Sequence, residues 1–106
     1  MNKKSNLFGL DSGTLADECL KLEEALGISL IAHESDYHGG DYFKLSGDDF
    51  NVVLQANFVE DDGEPTEAEF SDAALLLYIT GDESVVDRLS MVLSLNGTKL
   101  LRSSTY

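Results

Sequence analysis

The run from Phe50 to Val59 constrains the fold more than any other stretch of this chain, because Phe50, Val52, Leu54, Ala56 and Phe58 alternate with Asn51, Val53, Gln55 and Asn57. A period of two places the first set on one face of a strand and the second set on the other. Gly47-Asp48-Asp49 ahead of it forms a compact turn, and Tyr42 to Ser46 ahead of the turn has the length of a partner strand, so the two segments form a hairpin. A hairpin with one apolar face has to be covered, and the remaining residues must supply the cover.

Helices are predicted on both sides of the hairpin. Thr14 and Asp17 make a capping-box-like pair ahead of Leu15, Cys19, Leu22 and Leu26, whose spacing marks an amphipathic helix that Gly27 ends as a left-handed residue. Ile28 to His33 then has the length and β-branched start of a strand, and Glu34 to Asp41, with Gly39 and Gly40 inside it, reads as a loop. Ala73 to Thr80 is continuously apolar, as a central strand covered on both faces would be. Asp82 caps a second helix with Val85, Leu89, Val92 and Leu93 on one side and Asn96-Gly97 as its stop, and Thr98 to Ser104 is the last strand. Residues 1–10 show no periodicity and are expected to lie loosely on the surface. With 106 residues, the size of one domain (1–106), the chain is predicted to be α+β. Its mostly antiparallel sheet of about five strands carries two helices in the order α-β-β-β-β-α-β, and one sheet face is partly exposed.

Charge narrows the function. The net charge is −13, from 20 acidic and 7 basic residues, while 42% of residues are apolar, so the acidity does not come from a disordered composition. Residues 34–72 hold twelve acids against Lys44, a sum of −11, and these fall mainly in the connections 34–41, 47–49 and 60–72. In a meander the connection before Tyr42 and the one after Val59 leave the same end of the hairpin, with Asp48 and Asp49 at the other. Asp36, Asp41, Glu60, Asp61, Asp62, Glu64, Glu67 and Glu69 are therefore candidates for one acidic binding surface. Tyr37 and Tyr42 are its aromatic anchors, since tyrosines amid polar groups are frequent at interfaces. Such a surface fits a basic protein partner. Nucleic acid is excluded, because the few Lys and Arg are scattered, and no stretch approaches the roughly 20 apolar residues of a membrane span. No segment has the pattern of an export signal, and a single cysteine, Cys19, fits a reducing cytoplasm.

Catalytic and metal chemistry find few residues. His33 and His38 stand five apart, neither the helical nor the strand spacing of a zinc pair, and no second cysteine completes a site. Glu60-Asp61-Asp62-Gly63 resembles part of a calcium loop, but its first ligand position falls on Phe58 and no helices flank it. No nucleophile elbow, phosphate loop or dinucleotide fingerprint is present. The expectation is a binding protein with no catalytic residues, metal or cofactor.

The segment Tyr37-His38-Gly39-Gly40-Asp41-Tyr42-Phe43, followed by Val52-Val53-Leu54-Gln55-Ala56-Asn57-Phe58, the acidic stretch and Leu75-Leu76-Leu77-Tyr78, resembles a group of small bacterial immunity proteins. These accompany polymorphic toxins, including those of contact-dependent growth inhibition, and the resemblance covers mainly residues 34–80. It implies a cytoplasmic protein that forms a 1:1 complex with a cognate toxin domain, often a basic RNase-type nuclease, and covers its active site or substrate cleft. No functional residue carries over by motif, so the interface set above rests on charge clustering. Two other binding roles suit a small acidic α+β chain. One is a class I type III secretion chaperone, which usually has a long C-terminal helix where this chain is predicted to have a strand. The other is a nucleic-acid mimic, which would space its carboxylates like phosphates along helices or strands.

Overall fold

The computed structural model describes residues 2–10, 14–35, 40–57, 73–95 and 98–105. They form one six-stranded antiparallel sheet with two helices. The chain order is β1 (Lys3–Leu10), α1 (Leu15–Leu26), β2 (Ile31–Ser35), β3 (Gly40–Ser46), β4 (Phe50–Ala56), β5 (Leu75–Asp82), α2 (Glu83–Leu95) and β6 (Lys99–Thr105). Across the sheet the order is β2-β3-β4-β5-β1-β6. The predicted α+β class holds, and the four middle strands run as the expected meander.

The alternation in β4 sets the layering. Val52 and Leu54, with Phe8, Leu75, Leu77 and Ile79 of the neighbouring strands, meet Cys19 and Leu22 of α1 and Val86, Leu89 and Leu93 of α2 in the main core. Both helices thus cover the same sheet face. The second face carries a smaller cluster, Leu7, Ala73 and Leu76, with Tyr78 and Leu101 packed against it. β5 is buried on both faces, which is why its sequence reads as an unbroken apolar run.

Local signals fix the ends of α1. The Thr14 side chain accepts from Asp17 N at 3.2 Å, and Gly27 takes the left-handed conformation at φ 67° while its N–H donates to Glu23 O. The chain does not enter a strand directly afterwards. Ile28 N donates to Glu23 O and Leu30 N to Glu23 Oε2 at 2.8 Å, so residues 28–30 stay tied to the helix, with Ile28 and Leu30 against the core. The strand expected over 28–33 therefore shifts to Ile31–Ser35, and β3 begins at Gly40, leaving a connection shorter than the expected loop 34–41. Ahead of α2, Asp82 Oδ2 accepts from Ser84 Oγ at 3.3 Å.

Residues 1–10 correct the sequence reading. In place of a loose surface segment, Lys3–Leu10 is a strand paired with β5 along its whole length and with β6 on its other side. Asn6, Leu7, Phe8 and Gly9 are all buried. Asn6 Nδ2 donates to Ser90 Oγ at 2.8 Å and its Oδ1 accepts from Ser103 Oγ at 2.6 Å, so a polar side chain is satisfied on the helix-covered face. Lys4 adds an ion pair with Asp87 of α2 at 2.6 Å, and the hydrogen bond its Nζ donates to that carboxylate raises the lysine pKa.

Candidate protein-binding surface

The strand register defines the two ends of the sheet. At one end β2 stops at Ser35 opposite Gly40, where β3 starts, and β4 stops at Ala56 opposite Leu75, where β5 starts. β1 reaches the same end at Leu10, also opposite Leu75, and β6 starts there with Lys99 opposite Gly9. The connections 36–39 and 57–74 therefore leave from neighbouring strands, whose spacing in a sheet is about 5 Å. The far end carries the turn at 47–49, held where Asp82 N donates to Asp49 O at 2.8 Å.

Of the twelve acids between residues 34 and 72, Asp48 and Asp49 stand at the far end. The other ten belong to the two connections or to the strand ends that frame them. Asp36, Tyr37, Glu60, Asp61, Asp62, Glu64, Glu67 and Glu69 lie outside the described residues, so what is placed is the set of strand ends from which their segments depart. Asp41 is on β3, directly across from Glu34 on β2.

Tyr42 follows on β3, opposite His33 on one side and Gln55 on the other. Phe43 and Leu45 pack on the helix-side core, so alternation assigns Tyr42 to the helix-free face, where it is half-buried. The same face holds Asn57, whose buried Nδ2 donates to Ala73 O at 2.9 Å and fixes the point where the acidic connection leaves β4 and rejoins β5.

A cleft of about 520 Å³ opens at the acidic end between α1 and the last turn of α2, with a floor of Leu10, Leu22, Ala25 and Leu93. Glu18 stands in its wall with only 12% of its side chain exposed, and Lys21 Nζ donates to Glu18 Oε1 at 3.3 Å. Charge counting over loops missed this carboxylate. Its signal was present in the helical spacing, since Glu18 falls three residues after Leu15 and four before Leu22, on the flank of the apolar stripe.

Among the described residues no group of three or more His, Cys, Asp or Glu side chains is arranged to hold a metal ion. Cys19 is 5% exposed in the main core, and burial first, then the nearby Glu23 charge, raises its thiol pKa. A raised pKa keeps the thiol protonated through neutral pH, and the thiol proton is the form the folded state favours until pH climbs past that value. Alkylation of Cys19 by iodoacetamide at pH 8 is expected to be at least about tenfold slower in the folded protein than in urea, and equal rates would show that the residue is not packed as described.

Among the described residues no helix is long and apolar enough to cross a membrane. No protein-family model matches the chain, and no characterised protein matches it in sequence.

Proposed function

We propose that this protein is an immunity-type inhibitor. It binds a basic toxin domain, of which an RNase-type nuclease is the leading case, in a 1:1 complex in the cytoplasm. It acts by occupying the toxin's active site or substrate cleft and performs no catalysis of its own. The observation that supports the reading is the register that sends both acidic connections from adjacent strands at one end of the sheet, since ten of the chain's twenty acids belong in sequence to those connections or to the strand ends that frame them. A nuclease cleft is built to hold phosphates with cationic side chains, and carboxylates at that end can take the phosphates' place. A concentrated negative field also raises the association rate, which matters for an inhibitor that must reach its target before the target acts.

The test is a pull-down of the tagged protein from its own cells. The basic C-terminal domain encoded by the neighbouring upstream gene is then tested for growth inhibition and for neutralisation. Replacing Glu60, Asp61, Asp62 and Glu64 together with Lys is expected to slow association by about tenfold or more, with salt narrowing the difference and dissociation changed far less. The control replaces Asp48 and Asp49 with Lys at the far end and leaves association within about threefold. Equal slowing by both variants would point to net charge alone, and unchanged kinetics in the first would remove the 60–64 segment from the interface. A catch consisting of a secretion substrate or a DNA-binding protein would replace the immunity reading with the chaperone or mimic role.

A further inference from the structure

The cleft beside α1 contains a carboxylate that the fold does not need there. Glu18 lies in the first turn of α1, where an acid gains from the helix dipole, but Asp17 in the same turn has that advantage while fully exposed. Burying a carboxylate costs free energy unless hydrogen bonds satisfy its oxygens, which together can accept about four. Glu18 has one such contact among the described residues, from Lys21 at 3.3 Å, and the lysine side chain is 73% exposed. A contact that long to a solvated ammonium is weak, and the lysine can swing away without losing packing. Among the described residues the carboxylate lines a space of about 520 Å³ with Lys21 as its side-chain donor.

The rest of the cleft defines what would bond that carboxylate. Leu10, Leu22, Ala25 and Leu93 offer an aliphatic floor, and Glu24 at the rim adds a second negative group. A ligand complementary to this surface has an aliphatic stem several carbons long and a cationic head, which is the shape of an arginine or lysine side chain. We propose that the cleft is a socket for one basic side chain of the protein partner, the stem lying on the leucines and the head bonded to Glu18 in place of Lys21. Leu10 and Thr98, which line the cleft, stand at the end of the sheet from which the acidic connections depart, so one partner can engage both. The reading of a basic partner supplies only the source of that side chain. The socket's preference for an aliphatic cation stands on the cleft itself.

The test needs no partner. N-acetyl-arginine methylamide and N-acetyl-norleucine methylamide are titrated into the full-length protein while the methyl resonances of Leu10, Leu22 and Leu93 are followed by NMR. The arginine probe is expected to give saturable shifts at those methyls with a dissociation constant on the order of millimolar, as suits a fragment of that size. Glu18→Gln is expected to weaken it about tenfold or more, because a charge-assisted hydrogen bond is lost while the side-chain shape is kept. Ala25→Met, which fills the floor from a half-buried position, is expected to abolish the shifts, and circular dichroism verifies that both variants fold. Equal binding of the norleucine probe would overturn the assigned cation preference. Non-saturating shifts, or shifts unchanged in Glu18→Gln, would overturn the socket. Either outcome is separable from the 60–64 charge reversal, which reads partner association and not probe binding.

Discussion

Phe8→Ala is expected to destabilise the protein by about 3–5 kcal/mol, the range for removing a fully buried aromatic side chain from a core. Phe8 is 0% exposed and joins the cluster that both helices share. It sits on β1, which supplies the backbone partner of β5 on one side and β6 on the other, so the cavity would open where three strands and α2 meet. A domain of this size has total stability of about 5–15 kcal/mol, so the loss is a large share and the variant is expected to melt well below the parent. Urea denaturation of both proteins measures it. Leu20→Ala serves as the reference, because Leu20 is 65% exposed and its loss is expected to cost within about 0.5 kcal/mol. A cost for Phe8→Ala below about 1 kcal/mol would mean that residues 3–10 do not complete the sheet.

Gly81→Ala is expected to cost about 3 kcal/mol or more, for a different reason. Gly81 has φ 143°, a conformation that residues with a side chain rarely adopt, and it lies opposite Phe50 where β5 passes the 47–49 turn. A Cβ at this position would press on the Asp49 carbonyl oxygen and stand 2.5 Å from Phe50 Cα. The atoms it meets are backbone, which cannot rotate away, so β4 and β5 would have to part and the bond from Asp82 N to Asp49 O would be strained or lost. Gly9→Ala makes the informative contrast. Its Cβ would meet Leu101 Cδ1 at 2.7 Å, the far end of a side chain that can turn aside, so the cost is expected to be the smaller of the two. Thermal melts of the pair decide the order, and a Gly81→Ala protein as stable as the parent would rule out this account of the β4–β5 crossing.

The elements that sequence reasoning located share a property: each carries its own local signal. The Thr14 cap, the Gly27 stop, the turn at 47–49 and the alternation of Phe50 to Ala56 are decided by residues within a few positions of one another. β1 lacks such a signal. Its residues are buried on both faces, by Phe8 on one side and Leu7 and Gly9 on the other, and the buried place beside Phe8 is filled by Asn6. That asparagine is acceptable inside only because Ser90 and Ser103, far along the chain, satisfy it, and no local pattern announces partners at that distance. The candidate surface divides in the same way. The concentration of acids was legible by counting, and the common end of the strands that frame their connections followed from the hairpin, whereas the Glu18 cleft depends on α1, α2 and β1 meeting in space.

The position of β1 also sets a schedule for folding. It is made well before both of its neighbours, residues 75–82 and 99–105, and the closure of each pairing spans most of this sheet's sequence. The meander β2 to β5 can assemble from local contacts while β1 waits with both edges unpaired. Pairings this distant in sequence bring the chain toward the slow end of the range for small domains, milliseconds and longer. During synthesis β1 therefore keeps an unpaired edge until the seven-residue β6 emerges and closes the sheet beside it.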